Sequence, residues 1–246
     1  MTTPVVRIVE PVSYAAASRL QDELVTKRIS GRIPDIVLLL EHRPVVTLGR
    51  GRRDEHLLVS PEVLSQLDID FVVASRGGDV TYHGPGQLIL YPILKLTSKV
   101  SGAHGYLSNL EEIAIATAMS FGVPAFSRKG KSGAWTEQGK IAAIGFRLKR
   151  WISQHGMSFN VDPDLSRFKL IVPCGLVGEP VSSLREILQD ACPLMDAVAF
   201  SMVAEMERVF DKSMVIYKID RLEDFISIQN FLITDDGTTD SHRRNL

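Results

Sequence analysis

The sequence predicts an α+β fold, a mixed α/β unit in which strands dominate the middle of the chain and helices lie at both ends, with one helix between. Two observations favour this class. Apolar residues recur at helical spacing in residues 13–30, 105–121 and 195–210. Short β-rich apolar runs alternate with turns that contain glycine or proline, mainly in residues 35–96 and 133–162. With 246 residues, of which 45% are apolar, the chain can bury a sizeable core.

The first part of the chain predicts one helix followed by four strands. Ser13 stands before the helix as a potential N-cap, because its hydroxyl can accept a backbone N–H of the first turn. The run DIVLLLEHRPVVTLG predicts two short strands, and the break at Arg43 and Pro44 predicts a hairpin or a bend. The runs IDFVVASR and QLILYPILKL predict two further strands on either side of a glycine-rich stretch.

The second part of the chain places strands between the two later helices. The runs GAWTEQGKIAAIGFRLKR and HGMSFNVD show strand-like alternation, with glycines at their breaks. The last dozen residues are strongly polar, which is typical of a disordered tail. We therefore predict one domain over residues 1–232 and a disordered tail over residues 233–246.

Charge and composition exclude several functional classes. The formal net charge is −1, so no basic excess indicates a general nucleic-acid surface. No run of about 18 to 20 apolar residues predicts a membrane helix, and the first residues lack a secretory pattern, so we expect a cytoplasmic protein. Cys174 and Cys192 stand in different contexts, which argues against a disulfide. The six histidines show no metal-ligand spacing, so we expect no structural zinc.

The stretch RGGDVTYHGPGQ, residues 76–87, combines four glycines with few side chains suited to packing. Glycine lets the backbone adopt positive φ and approach a ligand closely, so the stretch can line a pocket. The alternative is a wide turn between strands, although a turn does not require Arg76, Thr81 or His83. Neither a GxxxxGK phosphate loop nor a GxGxxG that opens a helix occurs here, so the stretch does not indicate nucleotide binding.

A second stretch, IVPCGLVG, presents Cys174 between a proline and a glycine, which both hinder regular structure. We interpret Cys174 as a candidate nucleophile, and the alternative is a small buried apolar residue. A reactive thiol needs a nearby base or cation, since the thiolate is the nucleophilic form. His83, His155 and Lys140 are the candidates, and sequence spacing alone does not choose among them. Lys140 opens the apolar run KIAAIGF. The alternative to a catalytic role is a lysine at a strand end whose aliphatic stem is buried and whose ammonium reaches water.

Four blocks of the chain resemble the lipoyl(octanoyl) transferase family, the octanoyl-acyl carrier protein:protein N-octanoyltransferases called LipB. The blocks are RGGDVTYHGPGQLILYP, GKIAAIGFR, HGMSFNVD and IVPCGLVG, which occur in the family's order within residues 35–185. The resemblance implies the fold of biotin and lipoate protein ligases, a mixed sheet packed by helices around an acyl-binding groove.

The resemblance also implies roles for individual residues. Cys174, in the matching Pro-Cys-Gly, corresponds to the nucleophile that carries the octanoyl chain as a thioester. Lys140, in the matching Gly-Lys-Ile, corresponds to the lysine that activates this thiol, which favours Lys140 over the histidines. Three segments correspond to the substrate-binding residues of the family: Arg76, Gly77, Gly78, Asp79, Val80, Thr81, Tyr82 and His83; Ala143, Ile144 and Gly145; and Gly156, Met157 and Ser158. Asp79 stands at a variable place within the first segment.

The implied activity transfers an octanoyl group from octanoyl-acyl carrier protein to a lysine of lipoyl domains, in 2-oxoacid dehydrogenase E2 subunits and the glycine cleavage H protein. No metal, cofactor, nucleic acid or membrane is implied. One alternative is an ATP-dependent lipoate or biotin ligase on the same fold, because GRGRR at residues 49–53 resembles a biotin-ligase loop. Another is an inactive binding module. The presence of both Cys174 and Lys140 argues against each alternative, since neither requires a thiolate.

Basic residues offer a surface for the acyl donor. Acyl carrier proteins are acidic, so positive charge near a pocket mouth would steer them toward it. The candidates are Arg50, Arg52, Arg53, Arg147, Lys149 and Arg150. The alternative is that these residues only form a solvated face.

Overall fold

The computed structural model describes residues 2–96 and 102–225, which contain eleven strands and five α-helices. The strands are β1 (Thr3–Ile8), β2 (Ile36–Leu40), β3 (Val45–Leu48), β4 (Asp70–Val73), β5 (Val80–His83), β6 (Gln87–Ile93), β7 (Phe126–Arg128), β8 (Lys131–Thr136), β9 (Gly139–Lys149), β10 (Ile152–Asn160) and β11 (Met214–Ile219). The helices are α1 (Tyr14–Ile29), α2 (Pro61–Gln66), α3 (Gly102–Ser120), α4 (Leu184–Leu188) and α5 (Met195–Phe210).

An eight-stranded mixed sheet forms the centre of the fold, in the order β11-β1-β2-β6-β10-β9-β8-β7. The strands β11, β1 and β2 pair in parallel, whereas every pair from β2 to β7 is antiparallel. A second sheet has the order β4-β3-β5, with β3 parallel to β4 and antiparallel to β5. The predicted α+β class with mixed sheets is confirmed.

Helices cover both faces of the large sheet, as the alternation along β6 shows. Leu88 and Leu90 belong to a core with residues of α3 and α5, whereas Ile89 and Tyr91 belong to a core with residues of α1. Successive side chains of a strand point to opposite faces, so a continuously apolar strand needs a cover on each side. Full burial of one such aliphatic side chain contributes roughly 1.5–3 kcal/mol.

All three predicted helices are present. The Ser13 hydroxyl accepts the backbone N–H of Ala16 at 3.3 Å and so caps α1 as expected. The helices α3 and α5 lie where periodicity placed them, in residues 102–120 and 195–210. Their apolar sides pack together on one face of the large sheet.

The predicted strands are also present, but the break at Arg43 and Pro44 is a bend and not a hairpin. The reason is that β2 belongs to the large sheet and β3 to the small one, so the two strands do not pair. The sequence patterns did not predict β1, β5, β7, β11, α2 and α4. The strands β1 and β11 pair with each other from Thr3 opposite Met214 onward, a contact that no local pattern indicates.

The glycine-rich stretch 76–87 is not one wide turn, because its centre forms β5. Residues on both sides of β5 remain loops, and glycine is needed in the second of them. Gly86 has φ +87°, and a Cβ there would lie 2.1 Å from the Asp162 carbonyl oxygen. The stretch therefore contributes one strand and two tight connections to the fold.

Within the described ranges, no single helix is long and apolar enough to cross a membrane. Residues 184–191 and 195–210 reach that length and composition only when counted together, and they meet at a bend of 119°. The predicted tail over residues 233–246 lies outside the described residues.

His42 is completely buried between β2 and β3. Its Nδ1 lies 2.9 Å from the Val12 carbonyl oxygen, and its Nε2 lies 2.7 Å from the Tyr91 hydroxyl. A carbonyl oxygen can only accept, so Nδ1 carries the hydrogen and Nε2 accepts from Tyr91, which is the neutral tautomer. Burial lowers the pKa of His42 to about 4.

Acidification is therefore expected to destabilise the fold through His42. The unfolded pKa is about 6.5, so the contribution of neutral His42 is complete above that pH and is lost as the pH falls toward the folded pKa. Urea unfolding near pH 7 and at about pH 5 should show a lower free energy of unfolding in acid. His42→Gln should reduce that difference by about 2 kcal/mol. Replacement of the exposed His104 on α3 by Gln is the control and should leave the pH dependence unchanged. An equal pH dependence in wild type and His42→Gln would contradict the prediction.

Candidate active site

Lys140 and Cys174 meet beside a pocket, with Lys140 Nζ 3.2 Å from Cys174 Sγ. Lys140 lies near the start of β9, where both its backbone N–H and its backbone carbonyl are hydrogen-bonded. Its N–H donates to the Pro180 carbonyl at 2.9 Å, and its carbonyl accepts the Ser182 N–H at 3.0 Å. The ammonium also lies 5.4 Å from the centroid of the Trp135 ring, within the range of a cation–π contact. The chain that follows Cys174 thus returns to pair with the strand that carries Lys140.

The Lys140 side chain is largely removed from water, since the residue is only 5% exposed. Among the residues that the structure describes, its polar partner is the Cys174 thiol, and it forms no ion pair with a carboxylate. A buried cation without a counter-charge is unfavourable, and a thiolate is a counter-charge. The pair therefore has the cation that a nucleophilic thiol requires. The catalytic roles of the two residues stay predictions.

Cys174 lies in a short turn, Pro173–Gly175, and has a left-handed backbone with φ +55°. Gly175 is also left-handed, with φ +68°. This conformation costs a non-glycine residue about 1–2 kcal/mol. The turn is closed by hydrogen bonds of 3.0 Å from the Gly175 N–H to Val172 and from the Leu176 N–H to Pro173. The strained backbone directs the half-buried thiol toward Lys140, and strain of this kind clusters at functional sites.

The pocket beside the thiol is lined by residues from all three predicted substrate-binding segments. These are Arg76, Gly78, Asp79, Thr81, His83, Ala143, Ile144, Gly145, Gly156, Met157 and Ser158. Sequence analysis missed Tyr91 and Ser132, which also line it, and considered His155 only as a base.

Three residues of the first predicted segment, Gly77, Val80 and Tyr82, do not line the pocket. Val80 and Tyr82 pack into the apolar core beneath the three-stranded sheet. Because alternate residues of β5 point to opposite faces, Thr81 and His83 face the pocket instead. Five of the eight predicted residues therefore line the pocket, and two belong to the core.

Glycines let the loop at residues 76–79 lie directly on β9. The Gly77 N–H donates to the Phe146 carbonyl at 3.0 Å, so this N–H holds the loop in place. A Cβ on Gly145 would lie 2.9 Å from the Gly77 carbonyl oxygen, closer than real side chains approach. The backbone of the 76–79 loop thus contacts the backbone of β9 directly. A side chain at Gly145 would separate the loop from the strand.

The GRGRR run at residues 49–53 lies against the outer side of the same loop. The Gly49 N–H donates to the Asp79 carbonyl at 3.0 Å, and the Gly51 N–H donates to the Gly78 carbonyl at 2.9 Å. A Cβ on Gly49 would lie 2.3 Å from the Gly78 carbonyl oxygen. These glycines are explained by their contact with the pocket wall.

Arg76 places a buried guanidinium in the pocket wall. Its Nη2 donates to the carbonyl and the hydroxyl of Thr47, each at 2.7 Å, and its Nη1 donates to the Gly77 carbonyl at 3.0 Å. Burial lowers the pKa of Arg76, and the nearby Tyr14 and Cys174 act in the opposite direction. A guanidinium stays charged at neutral pH, so Arg76 adds a second positive charge on the thiol side of the pocket.

A cluster of aromatic and imidazole rings extends from the pocket wall to Tyr14 on α1. The Tyr14 ring is parallel to the rings of His83 and His155, and both centroid distances are 6.4 Å. His42 lies 5.8 Å from both His83 and Tyr91, measured between ring centroids. The cluster thus brings together residues of α1 and of both sheets.

The two histidines that sequence analysis considered as bases are neutral. Burial, followed by the charge of Arg76, lowers the pKa of His155 to about 4, and burial sets the pKa of His83 well below its usual value. His155 Nε2 lies 3.1 Å from the Ser75 hydroxyl, and His83 Nδ1 lies 3.1 Å from Gln87 Oε1. Their hydrogen bonds thus engage neighbours other than Cys174.

In the described part of the chain, no three His, Cys, Asp or Glu side chains are placed to hold a metal ion. What the site brings together is a thiol, a buried ammonium, a buried guanidinium and a narrow pocket with polar and apolar walls. This arrangement can form and discharge an acyl thioester, which needs a nucleophile and a group that holds and returns a proton.

Comparison with known proteins shows the family to which the chain belongs. The family model for the lipoyl protein ligase A/B catalytic domain matches residues 13–207. The chain is 47% identical over 174 residues to an octanoyltransferase of Syntrophotalea carbinolica, covering 71% of this chain and 79% of that protein. It is 38% identical over 210 residues to the mitochondrial octanoyltransferase LIP2 of Arabidopsis thaliana, covering 85% and 89%. A crystal structure of lipoate-protein ligase A bound with ATP shares the fold, with a TM-score of 0.73 at 14% identity over 98% of this chain and 97% of that one.

A substitution at Gly133 in β8 can change the distance between Lys140 and Cys174 while both residues are kept. A Cβ there would lie 2.6 Å from Lys140 Cε and 2.3 Å from the Ala142 carbonyl oxygen. We expect Gly133→Ala to displace the ammonium and to slow alkylation of Cys174 by iodoacetamide about fivefold, as measured by peptide mass spectrometry.

Gly130→Ala is the matched control for this measurement. Gly130 lies in the same hairpin and is also left-handed, with φ +77°, but a Cβ there meets nothing within 4 Å. We expect it to retain the wild-type alkylation rate. Equal rates for the two alanine variants would mean that the position of Lys140 does not govern the thiol.

Proposed function

This chain belongs to the family of lipoyl protein ligase A/B catalytic domains, in its octanoyltransferase (LipB) branch, and we propose that it works through an acyl-enzyme on Cys174. The octanoyl donor is octanoyl-acyl carrier protein. The acceptors are lysines of lipoyl domains in 2-oxoacid dehydrogenase E2 subunits and in the glycine cleavage H protein. The observation that carries this proposal is the 3.2 Å approach of Lys140 Nζ to Cys174 Sγ beside the pocket.

The first half-reaction moves the octanoyl group onto the enzyme. Lys140 stabilises the Cys174 thiolate, which attacks the carbonyl carbon of the donor thioester and forms a new C–S bond. The bond to the phosphopantetheine sulfur then breaks, and that sulfur leaves with a proton supplied by Lys140. Arg76 adds positive charge on the same side of the pocket while negative charge develops.

The second half-reaction moves the octanoyl group to the acceptor. The neutral amine of the acceptor lysine attacks the carbonyl carbon of the Cys174 thioester, so a C–N bond forms and the C–S bond breaks. The proton that the amine loses passes to Lys140, and the pair returns to its starting state. A thioester is converted to a more stable amide, so no ATP is required.

The pocket walls suit an acyl chain on one side and polar groups on the other. Ile144 and Met157 present apolar surface, and Gly145 and Gly156 contribute backbone to the pocket floor. A Cβ on Gly156 would lie 2.2 Å from the Leu90 carbonyl oxygen, so the floor here is the backbone of the large sheet. We place the octanoyl chain along this floor, with its carbonyl at Cys174.

Intact-protein mass spectrometry tests the proposal. After incubation with octanoyl-acyl carrier protein and without ATP, wild type should gain one octanoyl group that hydroxylamine removes. Cys174→Ser should lack the hydroxylamine-sensitive adduct. Lys140→Ala should form it about a hundredfold more slowly, which is the usual contribution of a positioned acid–base group.

The rival activity gives a different result in the same assay. An ATP-dependent ligase would leave wild type without an adduct from the acyl carrier protein and would transfer free octanoate to a lipoyl domain only with ATP. That outcome would replace the acyl-enzyme mechanism with adenylate chemistry on the same fold.

Donor docking gives a second test. The loop at residues 49–53 hydrogen-bonds to the pocket wall, and Arg50, Arg52 and Arg53 on it are exposed. We expect reversal of these three arginines to Glu to raise the KM for octanoyl-acyl carrier protein about tenfold at low ionic strength, and less at high salt.

Two other variants serve as comparisons for donor docking. Reversal of Arg147, Lys149 and Arg150, at the end of β9 and in the turn that follows, should raise the KM less, because Lys149 and Arg150 lie beyond the part of β9 that contacts the 76–79 loop. Arg208→Glu on α5 is the control and should leave the KM unchanged. An unchanged KM in both triple variants would rule out steering by these residues.

A further inference from the structure

His56 and Asp79 form a pair that has no place in the acyl-transfer steps, and it lies against the loop that carries Cys174. Asp79 Oδ2 is in close contact with His56 Nδ1. Both side chains are nearly buried, with exposures of 12% for His56 and 11% for Asp79. The second oxygen of Asp79 accepts the Arg53 N–H at 3.0 Å, so both carboxylate oxygens are engaged.

The pair contacts the nucleophile's loop on both sides of Cys174. The His56 carbonyl accepts the Val172 N–H at 2.8 Å, two residues before the nucleophile. A Cβ on Gly175 would lie 2.8 Å from Asp79 Oδ2 and 2.8 Å from His56 Cε1. The backbone that follows the nucleophile therefore packs directly on the two side chains, and Pro173 and Cys174 lie between the two attachments.

The loop depends on support from this side. Cys174 and Gly175 are consecutive left-handed residues, and a non-glycine residue keeps that conformation only where its surroundings impose it. Two residues after Gly175 the chain faces solvent, since Val177 is 81% exposed. The contacts that can hold the turn therefore come from the inner side, where His56 and Asp79 lie.

We propose that His56 and Asp79 are positioning residues that hold the Cys174 turn at the correct distance from Lys140. This inference rests on the proposed role of Cys174 as the nucleophile. His56 donates to Asp79 and anchors Val172, while Asp79 and His56 together form the surface on which Gly175 packs. Without the pair the turn relaxes, Sγ moves away from the ammonium, and the thiol becomes less reactive.

Thiol alkylation tests this role without any acyl donor. We expect His56→Leu and Asp79→Ala to slow alkylation of Cys174 by iodoacetamide about tenfold, because small displacements of a reacting group have large kinetic effects. Alkylation of Cys192, read from its own peptide in the same digest, should not change. In the octanoyl transfer assay His56→Leu, which lies outside the pocket lining, should lower kcat and leave the KM for octanoyl-acyl carrier protein within about twofold.

A conservative variant and a matched control separate positioning from general stability. In His56→Asn the amide nitrogen can replace Nδ1 as donor to Asp79, so most of the alkylation rate should return. Asp35→Ala removes another largely buried ion pair, to Arg28 at 2.7 Å, from outside the pocket lining. It should lower the melting temperature and leave the alkylation of Cys174 unchanged.

Two results would overturn the proposal. One is wild-type alkylation of Cys174 in both His56→Leu and Asp79→Ala. The other is equal slowing by Asp35→Ala, which would show that the effect follows stability alone. If Cys174 of the wild-type protein is alkylated but never accepts an octanoyl group, the proposed function is wrong. The alkylation rates of the variants would still decide whether His56 and Asp79 position Cys174.

Discussion

The site depends on one interaction, the approach of a buried ammonium to a thiol on a left-handed turn. An ammonium in this position needs a strand to fix its backbone, free space for its side chain and a partner for its charge. The fold meets the first need through the pairing of Lys140 with residues 180–182, and the second through Gly133, which leaves room beside Lys140 Cε. The thiol of Cys174 meets the third.

The pocket wall is built from backbone where the contacts are closest. Gly77 and Gly145 allow the 76–79 loop to touch β9, and Gly49 allows the outer loop to touch Gly78. The Arg76 side chain binds Thr47 on β3 of the small sheet, and the next residue, Gly77, binds β9 of the large sheet. The loop is therefore attached to both sheets. The glycine contacts are so short that no side chain fits between the loops and β9 at these positions.

Local sequence patterns predicted individual helices and strands, because their residue spacing and turn residues are set within one short segment. The helices α1, α3 and α5 and the strands β6, β9 and β10 follow from periodicity and turn residues. The site was harder to predict. Lys140 and Cys174 are 34 residues apart, and the choice of Lys140 over His83 and His155 came from family resemblance and not from spacing. Tyr91 looked like core because it lies in an apolar run, and nothing in the sequence pairs His56 with Asp79, since only the fold brings them together.

The pairing of β1 with β11 has a consequence for synthesis on the ribosome. The two strands come from nearly opposite ends of the described chain, yet they lie side by side and in parallel in the large sheet. Until β11 emerges, one edge of β1 presents unpaired N–H and C=O groups, and such an edge is a template for pairing with other chains. The nascent protein therefore carries β1 as the edge of the sheet until β11 has been made and takes that place, and during this time β1 is exposed to pairing with other chains.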